Sequence, residues 1–394
     1  MVGTGRLMLT GALTACVVLG LAQGAQAGAA PQITTLSWHI QSPPNPSGSI
    51  GDDLSDVSCS SANACTAVGS YESSSGGQGI FTTFADQWNG STWTIQNTPE
   101  ATSSNLNGVT CLSATDCVAV GDILTGVNIN LDTLAEVWNG STWTVQPTPT
   151  PKGATRAFLS AVDCTSSSNC LAVGDYSGKN GRDQFLLAER WNGTSWKLSG
   201  TQTPSGSTST DLNAVSCASA RSCIAVGSTN ASSDNMLAET WSGAGWTLMS
   251  TPSPSNGGGL TGVSCPAVNS CTASGGYYNG SADVTLAEHW DGTSWTQQTT
   301  PNPKGSTVTQ LTDVSCASTT RCVATGSQYK MHIPSSLSEV ATGSSWSVKQ
   351  PGSPSGSIES VLSSVSCPTT SDCTAVGFWE NSSGTTFLLA AQYN

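Results

Sequence analysis

Charged side chains are scarce in this sequence. Asp, Glu, Lys and Arg make up 9% of its 394 residues, against about a quarter in an average globular protein. Long amphipathic helices need a charged or polar face toward water, so a helical bundle is excluded. Cations are scarcer still: 12 Lys and Arg stand against 25 Asp and Glu, a formal net charge of −13. Phosphate binding needs clustered cations, so no nucleic-acid partner is expected. Histidine is limited to His39, His289 and His332. There is no H-E-x-x-H pair, no Gly-rich phosphate loop opening a helix, and no Ser/His/Asp set in a supporting context. No cofactor and no metal are expected. Gly (42) and Pro (18) are too few for collagen, and the 13 Trp with abundant Val and Leu exclude a disordered tail.

Only the N-terminus carries a long apolar run. Residues 1–27 read as a secretory signal: Arg6 supplies the positive end, Leu7 to Ala22 the apolar stretch, and Ala25-Gln26-Ala27 the small-x-small cleavage site. The run is too short for a membrane anchor. Leu13-Thr14-Ala15-Cys16 also fits a lipoprotein box, which would anchor the chain through Cys16. Residues 28–394 are expected to form one domain, exported and monomeric.

Cysteine parity supports export. Without Cys16, 14 Cys remain, in seven pairs of one spacing: Cys59/Cys65, Cys111/Cys117, Cys164/Cys170, Cys217/Cys223, Cys265/Cys271, Cys316/Cys322 and Cys367/Cys373. Zinc sites favour C-x2-C spacing with His partners. Five residues separate each pair here, so seven local disulfides in an oxidising compartment are expected.

The pairs mark a repeat. Their first members step by 52, 53, 53, 48, 51 and 51 residues. Each repeat reads L-x-x-V-[S/T/D]-C, five residues, C-x-A-[V/S/T]-G, a loop, L-A-E-x-W-N-G-x-[S/T]-W, and a Pro-rich link. Turn chemistry cuts this into four short strands, here A to D. A is expected to end at the first Cys and B to start at the second, with a five-residue turn between them. C ends at the first Trp and D begins at the second. Asn89-Gly90, Asn139-Gly140, Asn192-Gly193 and Asp291-Gly292 are strong hairpin signals between C and D, and Pro closes D. Four antiparallel strands in about 51 residues, seven times over, predict an all-β, seven-bladed β-propeller. The last repeat stops at Leu389 to Asn394, inside strand C, while Trp38-His39-Ile40-Gln41 reads as a strand D without its A, B and C. The N-terminal strand is therefore expected to complete the last blade and remove a free edge.

Connection lengths divide the two ends of such a fold. The A–B and C–D turns are short and carry the cystines. The B–C loops (Glu72 to Gly79, Ser177 to Asp183, Gln328 to Ser336) and D–A links (Asn97 to Ser104, Thr148 to Ala157, Gly352 to Glu359) are read as long. Loops on a rigid scaffold carry binding, so function is expected at the B–C/D–A end. Tyr71, Tyr176, Tyr277 and Trp379 lie two residues after the strand B glycine, near that rim, where they suit stacking on a sugar. Ile123, Thr229 and Gln328 take the position elsewhere. The Trp pairs 88/93, 138/143, 191/196, 241/246 and 290/295 flank the opposite turns and are expected in the core, with Ala341 and Tyr393 replacing the first Trp in repeats 6 and 7. A strand C carboxylate recurs at Asp86, Glu136, Glu189, Glu239, Glu288 and Glu339, with Ala391 in repeat 7. It shares the first Trp's face and is expected to meet indole N–H or backbone donors rather than a cation.

Gly90-Ser91-Thr92-Trp93 and Gly292-Thr293-Ser294-Trp295 resemble the end of the Asp-box of sialidase-like (BNR) propellers, although the residue between Asp and Gly is missing here. The whole repeat is similar to those of secreted actinobacterial propeller-like proteins. The resemblance implies the fold, and for sialidases three arginines on the substrate carboxylate with a Tyr nucleophile. Beyond the signal the chain has only Arg156, Arg182, Arg190, Arg221 and Arg321. Arg221 and Arg321 fall in cystine turns and Arg190 beside Trp191, which leaves no cluster of three. The leading expectation is a non-catalytic protein binding a glycan or cell-wall polymer. Two alternatives are a protein-interaction or surface scaffold, and a polysaccharide hydrolase or lyase using loop carboxylates such as Asp122, Asp175 and Glu359.

Overall fold

The computed structural model describes residues 36–394, apart from 76–77, 100–102, 126–129, 179–180, 182, 231–234 and 255. The expected signal segment and Cys16 lie outside the described residues, as does Arg182. All regular structure among the described residues is β-strand. Repeat 5 shows the unit: A is Gly258–Ala267, B is Ser270–Tyr278, C is Asp283–Trp290 and D is Trp295–Gln298. Each strand pairs antiparallel with the next. In repeat 7, A is Ser357–Ser366, B is Cys373–Asn381 and C is Thr386–Tyr393. Its fourth strand is Trp38–Gln41, with Trp38 opposite Tyr393 and Gln41 opposite Ala390.

The cysteine partners are the expected ones, with sulfurs at bonding distance in Cys59–Cys65, Cys111–Cys117, Cys164–Cys170, Cys217–Cys223, Cys265–Cys271, Cys316–Cys322 and Cys367–Cys373. Their placement corrects the expected five-residue turn. In repeats 1 to 6 strand A runs past its cysteine and strand B starts before the next, as at Ser61 and Ala64, so two residues make the turn. Cys59 and Cys65 face each other within the ladder, as do Cys111 and Cys117, Cys164 and Cys170, Cys217 and Cys223, and Cys316 and Cys322. A side chain in a ladder points to one face of its sheet, and these point inward. Cys65, Cys117, Cys170, Cys223, Cys271, Cys322 and Cys373 are therefore buried core residues rather than turn residues. Each belongs to the apolar cluster of its own repeat, as Cys65 does with Trp88 and Trp93.

A bulge explains the most regular part of the sequence. In every repeat the A–B register slips after the strand A leucine, as between Leu54 and Asp56 or Leu260 and Gly262. That leucine is fully buried in all seven repeats. A bulge bends the strand and leaves one residue unpaired, and here it pushes strand A against the glycine opposite. A Cβ on Gly69 would stand 1.9 Å from the Asp53 carbonyl oxygen, and one on Gly377 2.2 Å from that of Val361. Only glycine fits, which accounts for the last letter of C-x-A-[V/S/T]-G.

The residue freed by the bulge reaches the next repeat. Asn107 donates to the Leu159 carbonyl, Asn213 to Leu260, Thr261 to Leu311 and Thr312 to Leu362, at 2.7–3.0 Å. A second series joins the residue before the first Cys to the following cysteine's amide. Ser58 accepts from Cys111 N–H, Asp163 from Cys217, Ser216 from Cys265, Ser264 from Cys316 and Ser315 from Cys367. Ser366 of repeat 7 accepts from Cys59 of repeat 1 at 2.9 Å. The A strands thus pack side by side and line a polar cavity of about 310 Å³. Apolar clusters fill the spaces between successive sheets. In one of them, Val68 and Ala85 of repeat 1 pack with Leu106, Trp138 and Trp143 of repeat 2.

The B–C connections differ from expectation in two repeats. Strand pairing runs on through Ser75↔Gln78 and through Lys330↔Ile333, so most of Glu72–Gly79 and Gln328–Ser336 is strand rather than loop. Ser177 to Asp183 does leave the ladder, since its strands end at Ser177 and resume at Gln184.

Candidate functional site

The Trp pairs sit directly opposite each other across the C–D turn, as Trp88↔Trp93 and Trp290↔Trp295, with ring centroids 5.6–5.8 Å apart. Most are buried, and Trp191 and Trp290 are half-buried. The first indole donates to the A–B turn: Trp88 to Ala62 O, Trp138 to Ala114 O and Trp191 to Ser167 O. This puts both sets of turns at the cystine end. The second indole donates to the preceding repeat's strand D: Trp93 to Gln41, Trp143 to Gln96, Trp246 to Ser199 and Trp346 to Gln298. Ala341 and Tyr393 are buried in the slots of the missing first Trp, and Tyr393 packs on Trp38 at 5.2 Å.

The strand C carboxylates are fully buried between neighbouring sheets. The indole bonds go to turn carbonyls and to the preceding repeat, and the indoles of Trp38, Trp196, Trp241 and Trp295 have no partner among the described residues. Glu239 accepts the Gln202 amide at 2.6 Å, and Glu339 the Thr285 hydroxyl at 3.0 Å. Among the described residues, both oxygens of Glu136 and Glu288 have no hydrogen-bond partner, and Asp86 and Glu189 are eased only weakly, by the Gln87 amide and the Thr133 hydroxyl. Burial pushes Asp86, Glu136, Glu189, Glu288 and Glu339 up to about 8, and Glu239 to about 7 against the pull of the Gln202 amide. A carboxyl so placed holds its proton at neutral pH, which removes most of the cost of burying it. Among the described residues no three His, Cys, Asp or Glu side chains group as metal ligands.

Two carboxylates do converge across repeats, in the cavity wall. The Ser364 hydroxyl lies 2.5 Å from Asp56 Oδ1 and 2.9 Å from Asp313 Oδ2. Backbone amides take the rest: Val57 and Val109 donate to Asp56, Val314 and Val365 to Asp313. Burial, and then the charge of Asp313, lift Asp56 to about 7. A hydroxyl has one hydrogen and cannot donate to both acids, so a proton on one carboxyl completes the bridge. These bonds make the two acids a tie between repeats, joining Asp56 to repeats 2 and 7 and Asp313 to repeat 7. The pattern L-x-x-V-[S/T/D]-C carried a signal for the regular repeat-to-repeat bonds, in the small polar residue after the leucine and the one before the cysteine, to which sequence reasoning assigned no role; Asp56, Asp313 and Ser364 occupy the variable position before the valine.

Of the loop acids, Asp122 and Asp175 both feel the charge of Arg156, and Asp175 that of Asp211, while Glu359 meets only Glu380 among the described residues. Asp122 accepts from the Asn105 and Asn107 amides, burial raises Asp175 to about 6, and Glu359 faces Glu380 across its strand pair. The arginines are apart: Arg156 stacks on Phe158, Arg190 on Trp241 and Arg321 on Tyr393.

The rim aromatics are half-buried on strand B, each on its own repeat. Tyr71 meets Phe84 edge-on at 6.1 Å, Tyr176 packs on Phe185 at 5.3 Å, and Trp379 stacks on Phe387 at 4.6 Å. Tyr277 packs against the cluster of Leu260 and Leu286 and borders a cleft. The structure does not bring the four into one site; it spaces them around one end.

No protein-family model and no curated protein matches this sequence. Among solved structures it is similar to YCF48 bound to a D1 peptide, at 11% identity and TM-score 0.52, over 92% of this chain and 98% of that one. A protein of unknown function from Dyadobacter fermentans gives 8% identity and TM-score 0.52, over 91% and 98%. The six-bladed fungal lectin of Aleuria aurantia gives 15% and 0.48, over 79% and 100%. The fold is a β-propeller. At these identities the likeness shows that fold and nothing of activity.

Proposed function

We propose that this is a secreted, non-catalytic binding protein: a seven-bladed propeller, closed by its N-terminal strand, whose B–C/D–A end takes a glycan or cell-wall polymer. The pairing of Trp38–Gln41 with repeat 7 and the Ser366-to-Cys59 contact support the closure. The cystine pairs support an oxidising compartment. One observation carries the binding reading. Tyr71, Tyr176 and Trp379 each contact a second aromatic ring, Tyr71 edge-on, and remain half-exposed. A ring fixed from behind loses little freedom when a flat sugar face stacks on it.

A glycan array probed with the full, disulfide-intact protein tests this. Hits weakened by Tyr71→Ala or Tyr176→Ala support it, and an array without hits overturns it in favour of a protein-interaction scaffold. The peptide bound by the similar YCF48 structure makes a peptide array the natural second arm.

A further inference from the structure

One repeat departs from the pattern at the open end. Just outside the buried leucine, strands A and B present a cross-strand pair. Repeat 4 has Asp211 opposite Ser228, and Asp211 accepts both the amide and the hydroxyl of Ser228 at 2.7–2.8 Å. Repeat 6 has Gln310 opposite Ser327. Repeat 5 has Gly259 opposite Gly276. The fold does not demand either glycine. Neither has a positive φ. A Cβ on Gly259 would meet nothing nearer than Ser228 Cβ at 3.7 Å, and one on Gly276 nothing nearer than the Val284 carbonyl at 3.4 Å. Gly275 next door is different, since its Cβ would stand 2.0 Å from the Gly259 carbonyl oxygen. Gly275 is there for the bulge, whereas Gly259 and Gly276 clear space.

The space they clear is a cleft of about 310 Å³ between repeats 5 and 6, at the small end of ligand sites. Its floor is bare backbone. Tyr278 stands beside it, with Tyr277 turned into the Leu260–Leu286 cluster, and Asn256, Asp283 and Gln310 offer amide and carboxylate groups around it. Tyr278 is 45% exposed although it ends a strand. A phenol face beside amide and carboxylate acceptors suits a ligand with one apolar face and a rim of hydroxyls. Asp283 and the net charge of −13 oppose an acidic one. We infer that the Gly259–Gly276 cleft of repeat 5 binds one hexose unit of a neutral glycan, with Tyr278 as the stacking platform. This rests on the glycan reading above and assigns it a site and a sugar class.

The test is titration of the intact protein with neutral gluco-, galacto- and manno-oligosaccharides, and with sialylated and uronic-acid oligosaccharides, followed by ligand-observed NMR. The double variant Gly259→Asp/Gly276→Ser grafts the repeat 4 pair into the cleft. That pair already folds in this chain, so the thermal midpoint should stay unchanged. Neutral-sugar affinity should fall about tenfold or more, and Tyr278→Ala should lose a similar factor. Undiminished binding in the double variant overturns the cleft while leaving the glycan reading standing. A preference for the acidic sugars overturns the assigned class. Wild-type protein that binds no glycan on the array overturns the glycan reading itself, and this inference with it.

Discussion

The two ends of the propeller obey different rules although the same strands run through both. At the cystine end, Asn89, Asn139, Asn192 and Asp291 each accept the next two free amides of the C–D turn. The following glycine takes φ of 91–96°. A Cβ there would press on the A–B turn, as on Asn63 beside Gly90 or Ser168 beside Gly193. At the open end the D–A links also share a turn, in which Pro46, Pro151, Pro204, Pro303 and Pro354 each accept the amide three residues on and the intervening glycine takes φ of 81–86°, but the B–C connections differ. Met331 and His332 make a two-residue turn with φ of 51° and 66°, Asn279 caps a short loop, and Ser177 to Gln184 is spanned by a longer one. Where neighbouring turns touch, one solution is copied. Only the B–C connections vary from repeat to repeat, so divergence is confined to one of the two sets of links at that end.

Adjacent glycines break this comparison most sharply. Gly275→Ala drives a methyl group into the Gly259 carbonyl, with the Leu260 backbone 3.1 Å away. No rotamer relieves a backbone clash, so a loss of at least about 3 kcal/mol is expected. Gly276→Ala, one residue along, should change stability by less than about 0.5 kcal/mol. Thermal unfolding of the two variants side by side decides it. Equal losses would mean that the bulge does not impose the glycine.

The buried strand C acids set the next largest effect. Their ordinary values are 3.8 for Asp86 and 4.5 for the glutamates, and burial lifts them to about 7–8. Between about pH 4 and 8 the folded chain holds protons that the unfolded chain has released. Unfolding then releases protons, so rising pH favours it. Stability is full below the unfolded values and is lost as pH climbs to the folded ones. The thermal midpoint should be higher at pH 5 than at pH 8, with a difference on the order of several kcal/mol. Glu136→Gln should flatten the slope. A midpoint that does not move between pH 5 and 8 would show that these groups ionise freely.

Much of the fold was legible because the repeat is local. Cysteine spacing, Asn-Gly turns and paired Trp are short-range signals, and the orphan strand at Trp38 pointed to its partner at the other end of the chain. Spacing named the partner of each cysteine but not its surroundings. That Cys65 or Cys170 lies in the core depends on the ladder continuing past the bridge, which the polar turn residues between the cysteines conceal. The site was legible only in part. Tyr71, Tyr176, Tyr277 and Trp379 were placed correctly on strand B, but what each rests on depends on Phe84, Phe185, Phe387 and Leu286, which sit on another strand. The Asp56–Ser364–Asp313 bridge ties Asp56 to a residue 308 positions away and leaves no local pattern. The repeat 5 cleft is visible only as missing side chains, and an absence acquires meaning once the register shows what stands opposite.

Even the uniform end is unevenly satisfied. The second indole needs an acceptor three residues into the previous repeat's strand D. Gln41, Gln96, Ser199 and Gln298 supply one. Trp295 and Trp38 have none, because Met249 and Lys349 occupy that position. Trp196 also lacks one although Gln146 precedes it, so residue type is necessary without being sufficient. Met249→Gln should place an amide oxygen within reach of the Trp295 indole. The new hydrogen bond is worth about 1 kcal/mol. Met249 packs against the neighbouring core, so part of that gain is offset by lost apolar contact. The net effect should be a rise of roughly 1 °C in the thermal midpoint, with a downfield shift of the Trp295 indole proton by NMR. If the indole signal does not move, the Gln at this position in other repeats is a strand-end residue rather than a designed acceptor, and the indole contacts are incidental to the packing that holds successive repeats together.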